Sequence, residues 1–390
     1  MIERIEIFVT ALSARVQRIF ASGSYDTGPA DRILGKPVVV KVYADGVVGL
    51  AQIRPISPGH FVADTTHSVV SAIKEIYGPA LIGKSIFDIE SANQTFDARL
   101  NGNPAARALL DIALRDAMGK ALGKPVYDLI GGCCQPRIPL EWSVSMAEDV
   151  GTMVAEAKRA LDEFGIRVLC LKMGDRRGVR QDIRNFETVR RALGDDVMIG
   201  IDPNTGWTLA DALYAIDALK PLNVGYIEQP IARRNLTGMA EIRRAANGIP
   251  VMADEGLFTI QDAYALAEAR AVDAYCIKLY KIGGLTPAKK IAAIAEATGI
   301  QLNCGGLAVQ CQLEAAASAH FYASTPASQM MGAGEFVFGL NATAKDPLSP
   351  ESDFRIREGH VDVPRGPGLG ITIDEAALKR HTLLHEVVEA

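Results

Sequence analysis

The sequence has no basic tract anywhere. Its 41 lysines and arginines are outnumbered by 46 aspartates and glutamates, for a formal net charge of −5, which argues against nucleic acid or an anionic membrane surface as a partner. Long apolar runs are missing too, none reaching the roughly 18 residues that a membrane span needs. The first residues, Met1-Ile2-Glu3-Arg4-Ile5-Glu6-Ile7-Phe8, alternate charge with bulk and carry neither the apolar block nor the cleavage site of a signal peptide. Cysteine is scarce and scattered: Cys133, Cys134, Cys170, Cys276, Cys304 and Cys311 form no C-x-x-C pair, so the spacing of a zinc site or a redox dithiol is absent. These absences leave the expectation of a cytoplasmic protein with reduced thiols that acts on small molecules.

What is present is repetition. At 390 residues the chain exceeds one ordinary domain. From residue 138 to about 336 a short apolar run rich in branched residues, a polar turn, an amphipathic stretch and a glycine recur, the pattern of strand, helix, strand. Val150, Met153, Val154, Ala157, Leu161 and Phe164 fall at helical spacing, with Gly165 as the stop. Thr286-Pro287 reads as an N-cap followed by proline at the first position of a helix running to Gly299. Candidate strands start near Leu140, Val168, Met198, Gly225, Pro250, Ala274, Gln301 and Gln329, with helices between them and none obvious after the last. The prediction is an α/β protein with a modified (β/α)8 TIM-type barrel, (β/α)7β, over 131–340; an open doubly wound sheet is the competing fold. Residues 1–130 read as an α+β capping domain, a three-stranded meander at 5–9, 37–43 and 47–53 followed by helices, one of them over 105–122. Asp45-Gly46 is a strong turn signal between the last two strands. Residues 341–390 hold a further strand candidate at 354–356 and a Gly/Pro stretch at 364–368, and are expected to return to the cap.

The middle strands end in charge. Lys172, Asp202, Glu228, Asp254 and Lys278 are spaced 30, 26, 26 and 24 residues apart, each about one strand-helix unit, which places all five at one barrel mouth. Three neighbouring carboxylates repel unless a cation sits among them, and all-oxygen ligation favours Mg²⁺ before Mn²⁺ or Ca²⁺. No histidine ends these strands, which disfavours zinc. Lys172 and Lys278 fall on opposite sides of the ring, so a carboxylate held on the metal would have an amine on each face of its α-carbon. Removing an α-proton from a carboxylate yields a dianionic enediolate, which calls for both a Lewis acid and a base. A dication and partial burial are expected to lower the lysine pKa values from about 10.4 toward that task. The alternative for each lysine is a plain ion pair with the adjacent acids.

Ile201-Asp202-Pro203-Asn204, Ile227-Glu228-Gln229-Pro230 and Met252-Ala253-Asp254-Glu255, in that order and at that spacing, resemble the D-x-N, I-E-Q-P and M-A-D-E motifs of the enolase superfamily. Together with the tail Val363-Pro364-Arg365-Gly366-Pro367-Gly368-Leu369-Gly370, the sequence resembles the mandelate racemase/muconate lactonizing enzyme family, in its muconate lactonizing subgroup, over almost the whole chain. The resemblance implies Asp202, Glu228 and Asp254 as Mg²⁺ ligands and Lys172 and Lys278 as proton carriers. It also implies Asn204 and Glu255 near the metal and Glu335 close to the substrate carboxylate. It implies a homo-oligomer and one of three outcomes for a small carboxylate substrate: cycloisomerisation, racemisation or epimerisation, or loss of water. The motif around Glu228 and the tail favour the cycloisomerase type, and the opposed lysines allow epimerisation as readily. A carboxylate-binding protein without turnover is the explanation from another class.

Where the subgroup reads K-x-K this chain has Cys170-Leu171-Lys172, which puts a thiol on the same strand face as Lys172. After the seventh strand it has Gly305-Gly306-Leu307-Ala308, a glycine pair that either admits a ligand or relieves crowding. Loops at about 22–35 and 54–65 are the expected lids, with Arg32, Arg54 and His60 as candidates to meet a distal anionic group.

Overall fold

The computed structural model describes residues 1–21, 23–55, 63–306 and 309–390, with Ser24 and Tyr25 as backbone only. The predicted His60, Leu307 and Ala308 positions therefore lie outside the described residues.

The chain begins with β1 (Ile2–Thr10), a small hairpin of β2 (Gln17–Phe20) and β3 (Gly23–Asp26), then β4 (Val38–Ala44) and β5 (Val47–Ile53). β1, β4 and β5 pair antiparallel as expected, and Asp45-Gly46 turns the β4–β5 hairpin with φ of 47° and 79°, the left-handed pair that an Asp-Gly turn supplies. The helix Pro104–Leu122 covers this sheet, burying Leu109, Ile112, Ala113 and Ala117.

A short β6 (Arg137–Pro139) leads into eight parallel strands: β7 (Glu141–Val144), β8 (Val168–Lys172), β9 (Met198–Asp202), β10 (Val224–Glu228), β11 (Val251–Ala253), β12 (Ala274–Ile277), β13 (Gln301–Gly305) and β14 (Met330–Glu335). A parallel bridge between Leu140 and Gly334 joins the two ends, so the sheet closes into a barrel rather than the doubly wound alternative. Strands such as β8 and β12 are buried almost throughout, as strands must be when helices cover one face and packed side chains the other. β14 is followed by a one-turn 3-10 segment, Val337–Gly339, instead of a barrel helix.

The tail returns to the cap, though not by the expected route. Residues 354–356 form no strand; Phe354 is a buried anchor whose carbonyl accepts from Gln312 Nε2 at 3.3 Å. The strands of this region are instead β15 (His360–Asp362), which pairs with β6, and β16 (Thr382–Glu389), which adds a fourth, antiparallel strand to the cap sheet beside β1. The helix Leu285–Thr298 also departs from expectation: its cap is Gly284, not Thr286. Asp111, reaching over from the cap helix, accepts from Thr286 N at 3.1 Å and does the capping, and it sits 2.6 Å from where a side chain at Gly284 would begin. The helix stops at Gly299 in the left-handed conformation, as predicted. No described helix is long and apolar enough to cross a membrane.

Candidate active site

The five strand-end residues meet at the mouth, all buried to 5 % exposure or less. β8 and β9 run in register so that Lys172 lies beside Asp202, and its Nζ donates to Asp202 Oδ2 at 2.5 Å. Across the barrel Lys278 Nζ donates to Asp254 Oδ2 at 2.6 Å. Glu228 stands between the two pairs. One of its oxygens clusters with Asp202 and Cys170, and it clusters again with Asp254 and Cys276, ligand atoms in each group lying within 4.8 Å of one another. Asn204, held at a φ of 45°, donates from N to Asp202 Oδ1 at 2.7 Å and from Nδ2 to Asp202 Oδ2 and Glu255 Oε1 at 2.8 and 3.2 Å. Glu335 lies 3.7 Å from Lys172 Nζ. Cys170 Sγ lies 4.0 Å from Lys172 Nζ, on the shared strand face, and 3.8 Å from Glu228 Oε2.

The charge balance shows what this cluster can hold. Burial, with Asp202 next, pushes Glu228 well above the usual carboxylate range, and burial with Asp254 pushes Glu255 up to about 8. Burial acts the same way on Asp254, but the ammonium groups of Lys278 and Lys281 outweigh it and hold that carboxyl down to about 2. Glu228 Oε1, Glu255 Oε2 and Asn204 Oδ1 are buried oxygens without a hydrogen-bond partner, and such groups are costly unless something else satisfies them. Oxygen donors from Asp202, Glu228 and Asp254 with this unmet demand fit a hard divalent cation. Burial lowers both lysines, yet the facing carboxylates, Asp202 and Asp254 foremost, outweigh it and carry both well above the ordinary lysine value. Lowering them toward a base requires positive charge among those carboxylates. Burial pushes the Cys170 thiol well above its ordinary value.

Residues 152–377 match the sequence profile described as enolase C-terminal domain-like, and residues 34–131 match the N-terminal domain of mandelate racemase/muconate lactonizing enzyme. The chain belongs to the mandelate racemase/muconate lactonizing enzyme family. It is 31 % identical to an N-succinyl-L-Arg/Lys racemase from Bacillus cereus, over 99 % of both chains. It is 32 % identical to a muconate cycloisomerase from Acinetobacter lwoffii, over 88 % of both. The crystal structure of the Bacillus cereus racemase superposes with a TM-score of 0.88 at 30 % identity, covering 99 % of each chain. That of a Pseudomonas fluorescens muconate lactonizing enzyme complexed with muconolactone also reaches 0.88 at 30 % identity, covering 98 % of this chain and 99 % of that one. The protein is an enolase-superfamily isomerase, and membership implies a divalent metal.

Within this family member several functional groups escaped the sequence reading. Lys281 is fully buried and donates to both the backbone oxygen and Oδ1 of Asp254 at 2.5 Å, and to Cys276 O at 3.2 Å. Its signal was present: on the short helix Leu279–Ile282 it follows Lys278 by one turn. Gln229 fixes the backbone ahead, its Oε1 accepting from Asp254 N at 3.0 Å and Gly256 N at 2.9 Å. Gly305 relieves crowding, because a β-carbon there would sit 2.6 Å from both Lys278 Cε and Cys276 Sγ. Just ahead of the first predicted lid, Phe20 at the end of β2 sets its ring 5.8 Å from Lys172 Nζ. Arg32 is exposed, and Arg54 is buried with Nε donating to Gly35 O at 2.6 Å.

Proposed function

We propose that the protein is a Mg²⁺-dependent racemase or epimerase that exchanges the proton α to a carboxylate, with an N-acylated amino acid as the substrate class. The observation that carries this reading is the pair of buried lysines on opposite sides of Glu228, one bound to Asp202 and the other to Asp254. Stereochemical inversion needs a proton carrier on each face of one carbon, whereas cyclisation of a diacid needs only one. The racemase relative matches over 99 % of this chain. Mg²⁺ held by Asp202, Glu228 and Asp254 would supply Lewis acidity toward the substrate carboxylate. Lys172 and Lys278 then take and return the proton, and Asn204 fixes the Asp202 carboxylate.

Muconate cycloisomerisation is the second reading, favoured by the cycloisomerase relatives at about equal identity. Incubating the enzyme and Mg²⁺ with single enantiomers of N-succinyl amino acids, and separately with muconate, decides between them. Chiral chromatography is expected to show the opposite enantiomer; loss of the muconate diene absorbance with no racemisation would establish the second reading instead.

A further inference from the structure

Two residues back along each barrel strand lies a second set of inward side chains, and it contains a carboxyl group that the proposed chemistry leaves unused. Glu141, on β7, is 1 % exposed. Tyr226, two residues before Glu228 on β10, donates its hydroxyl to Glu141 Oε1. Asn303, two before Gly305 on β13, donates Nδ2 to Glu141 Oε2 at 3.4 Å and to Ala333 O at 3.5 Å, while its Oδ1 accepts from Cys276 Sγ at 3.8 Å. One carboxyl thus ties the first, fourth and seventh barrel strands together across the interior. The Leu140–Gly334 bridge that closes the barrel also sets Glu141 in register beside Glu335, and Glu335 is the acid next to Lys172. Two buried carboxyls side by side do not both ionise readily. Burial together with Glu335 raises Glu141 to about 8, and on its other side Glu335 lies 3.7 Å from Lys172 Nζ. Lys278, on the far side, is paired with Asp254 and packs against Gly305.

We propose that Glu141, held by Tyr226 and Asn303, is a positioning residue that fixes Glu335 and through it Lys172, so that it serves proton exchange on one face of the substrate only. The inference rests on the two-lysine reading and names no new contact with substrate. Its consequence is an asymmetry that a merely structural strut would not produce.

The test measures deuterium exchange into N-succinyl-L-arginine and N-succinyl-D-arginine in D₂O with Mg²⁺, using Lys172→Ala to identify the enantiomer that depends on Lys172. Glu141→Met is expected to slow exchange of that enantiomer at least tenfold and the other less than twofold. Glu141→Gln, which keeps a neutral acceptor for the Tyr226 hydroxyl, is expected to stay within threefold of wild type on both. Tyr226→Phe, which keeps the ring packing, provides a second probe should Glu141→Met not fold, with the same one-sided slowing by a smaller factor. Equal slowing of both enantiomers, or slowing of neither, would overturn the proposal. If wild type exchanges neither enantiomer, the functional reading fails for this substrate, and crystal structures of the variants decide separately on Glu141. Displacement of Glu335 from Lys172 in Glu141→Met or Tyr226→Phe supports the proposal, and an unmoved Glu335 refutes it.

Discussion

Lys281 grips the carboxylate and the backbone of Asp254 at once. Charge-assisted hydrogen bonds of this kind are worth ~1.5–3 kcal/mol each, and ~1.4 kcal/mol is a factor of ten in rate. Lys281→Met is therefore expected to lower kcat at least tenfold, read in the α-proton exchange assay, while leaving Lys278 bound to Asp254. Gly305→Ala acts on the other side of Lys278. Its β-carbon meets Lys278 Cε and Cys276 Sγ at 2.6 Å, so overpacking should cost about 1–3 kcal/mol of stability, measured by urea unfolding. Exchange of the enantiomer served by Lys278 should fall more than that served by Lys172. The five strand-end residues were legible because charge at the end of an apolar strand stands out. Lys281 left only the faint signal of following Lys278 by one turn, and Gln229 and Glu141 left none, since a motif glutamine and an acid inside a strand acquire meaning only from what the closed barrel brings against them.

At the scale of elements, the barrel strands were readable to within a residue or so at their starts, because fully buried parallel strands write continuous apolar runs. The tail was harder. β16 follows directly on the helix Glu375–His381, and its eight residues mix leucine and valine with His385, Glu386 and Glu389, so neither periodicity is clean; its partner β1 lies at the other end of the sequence. Contacts between elements carry their own chemistry. His320, on the helix Gln312–Ala323, accepts at Nδ1 from Tyr127 N at 3.2 Å and meets Leu369 O at Nε2 at 3.1 Å, tying a barrel helix to the turn Val126–Leu129 and to the tail. Both roles need the neutral ring with its proton on Nε2, and burial holds its pKa down to about 4 against 6.5 in an unfolded chain. Between those values the unfolded chain binds the extra proton, so stability falls as pH drops through the window, by up to about 3 kcal/mol for this residue. Urea unfolding at pH 7 and pH 4.5 should show a larger loss in wild type than in His320→Gln; equal losses would contradict the assignment.

At the scale of the whole molecule, buried charges of both signs are gathered at the barrel mouth. Asp202, Glu228, Asp254 and Glu335 face Lys172, Lys278 and Lys281 there, and burial raises both Glu141 and Glu255 to about 8. The central claim is that the three strand-end carboxylates and two opposed lysines form one metal-dependent proton-exchange site. Deuterium incorporation followed by NMR in D₂O, with and without Mg²⁺, for wild type, Asp254→Asn, Lys172→Ala and Lys278→Ala, tests it most directly. The account predicts exchange that requires the metal, collapses in Asp254→Asn, and is lost for opposite enantiomers in the two lysine variants. Exchange that persists without metal, or lysine variants that still exchange both enantiomers at the wild-type rate, would contradict it.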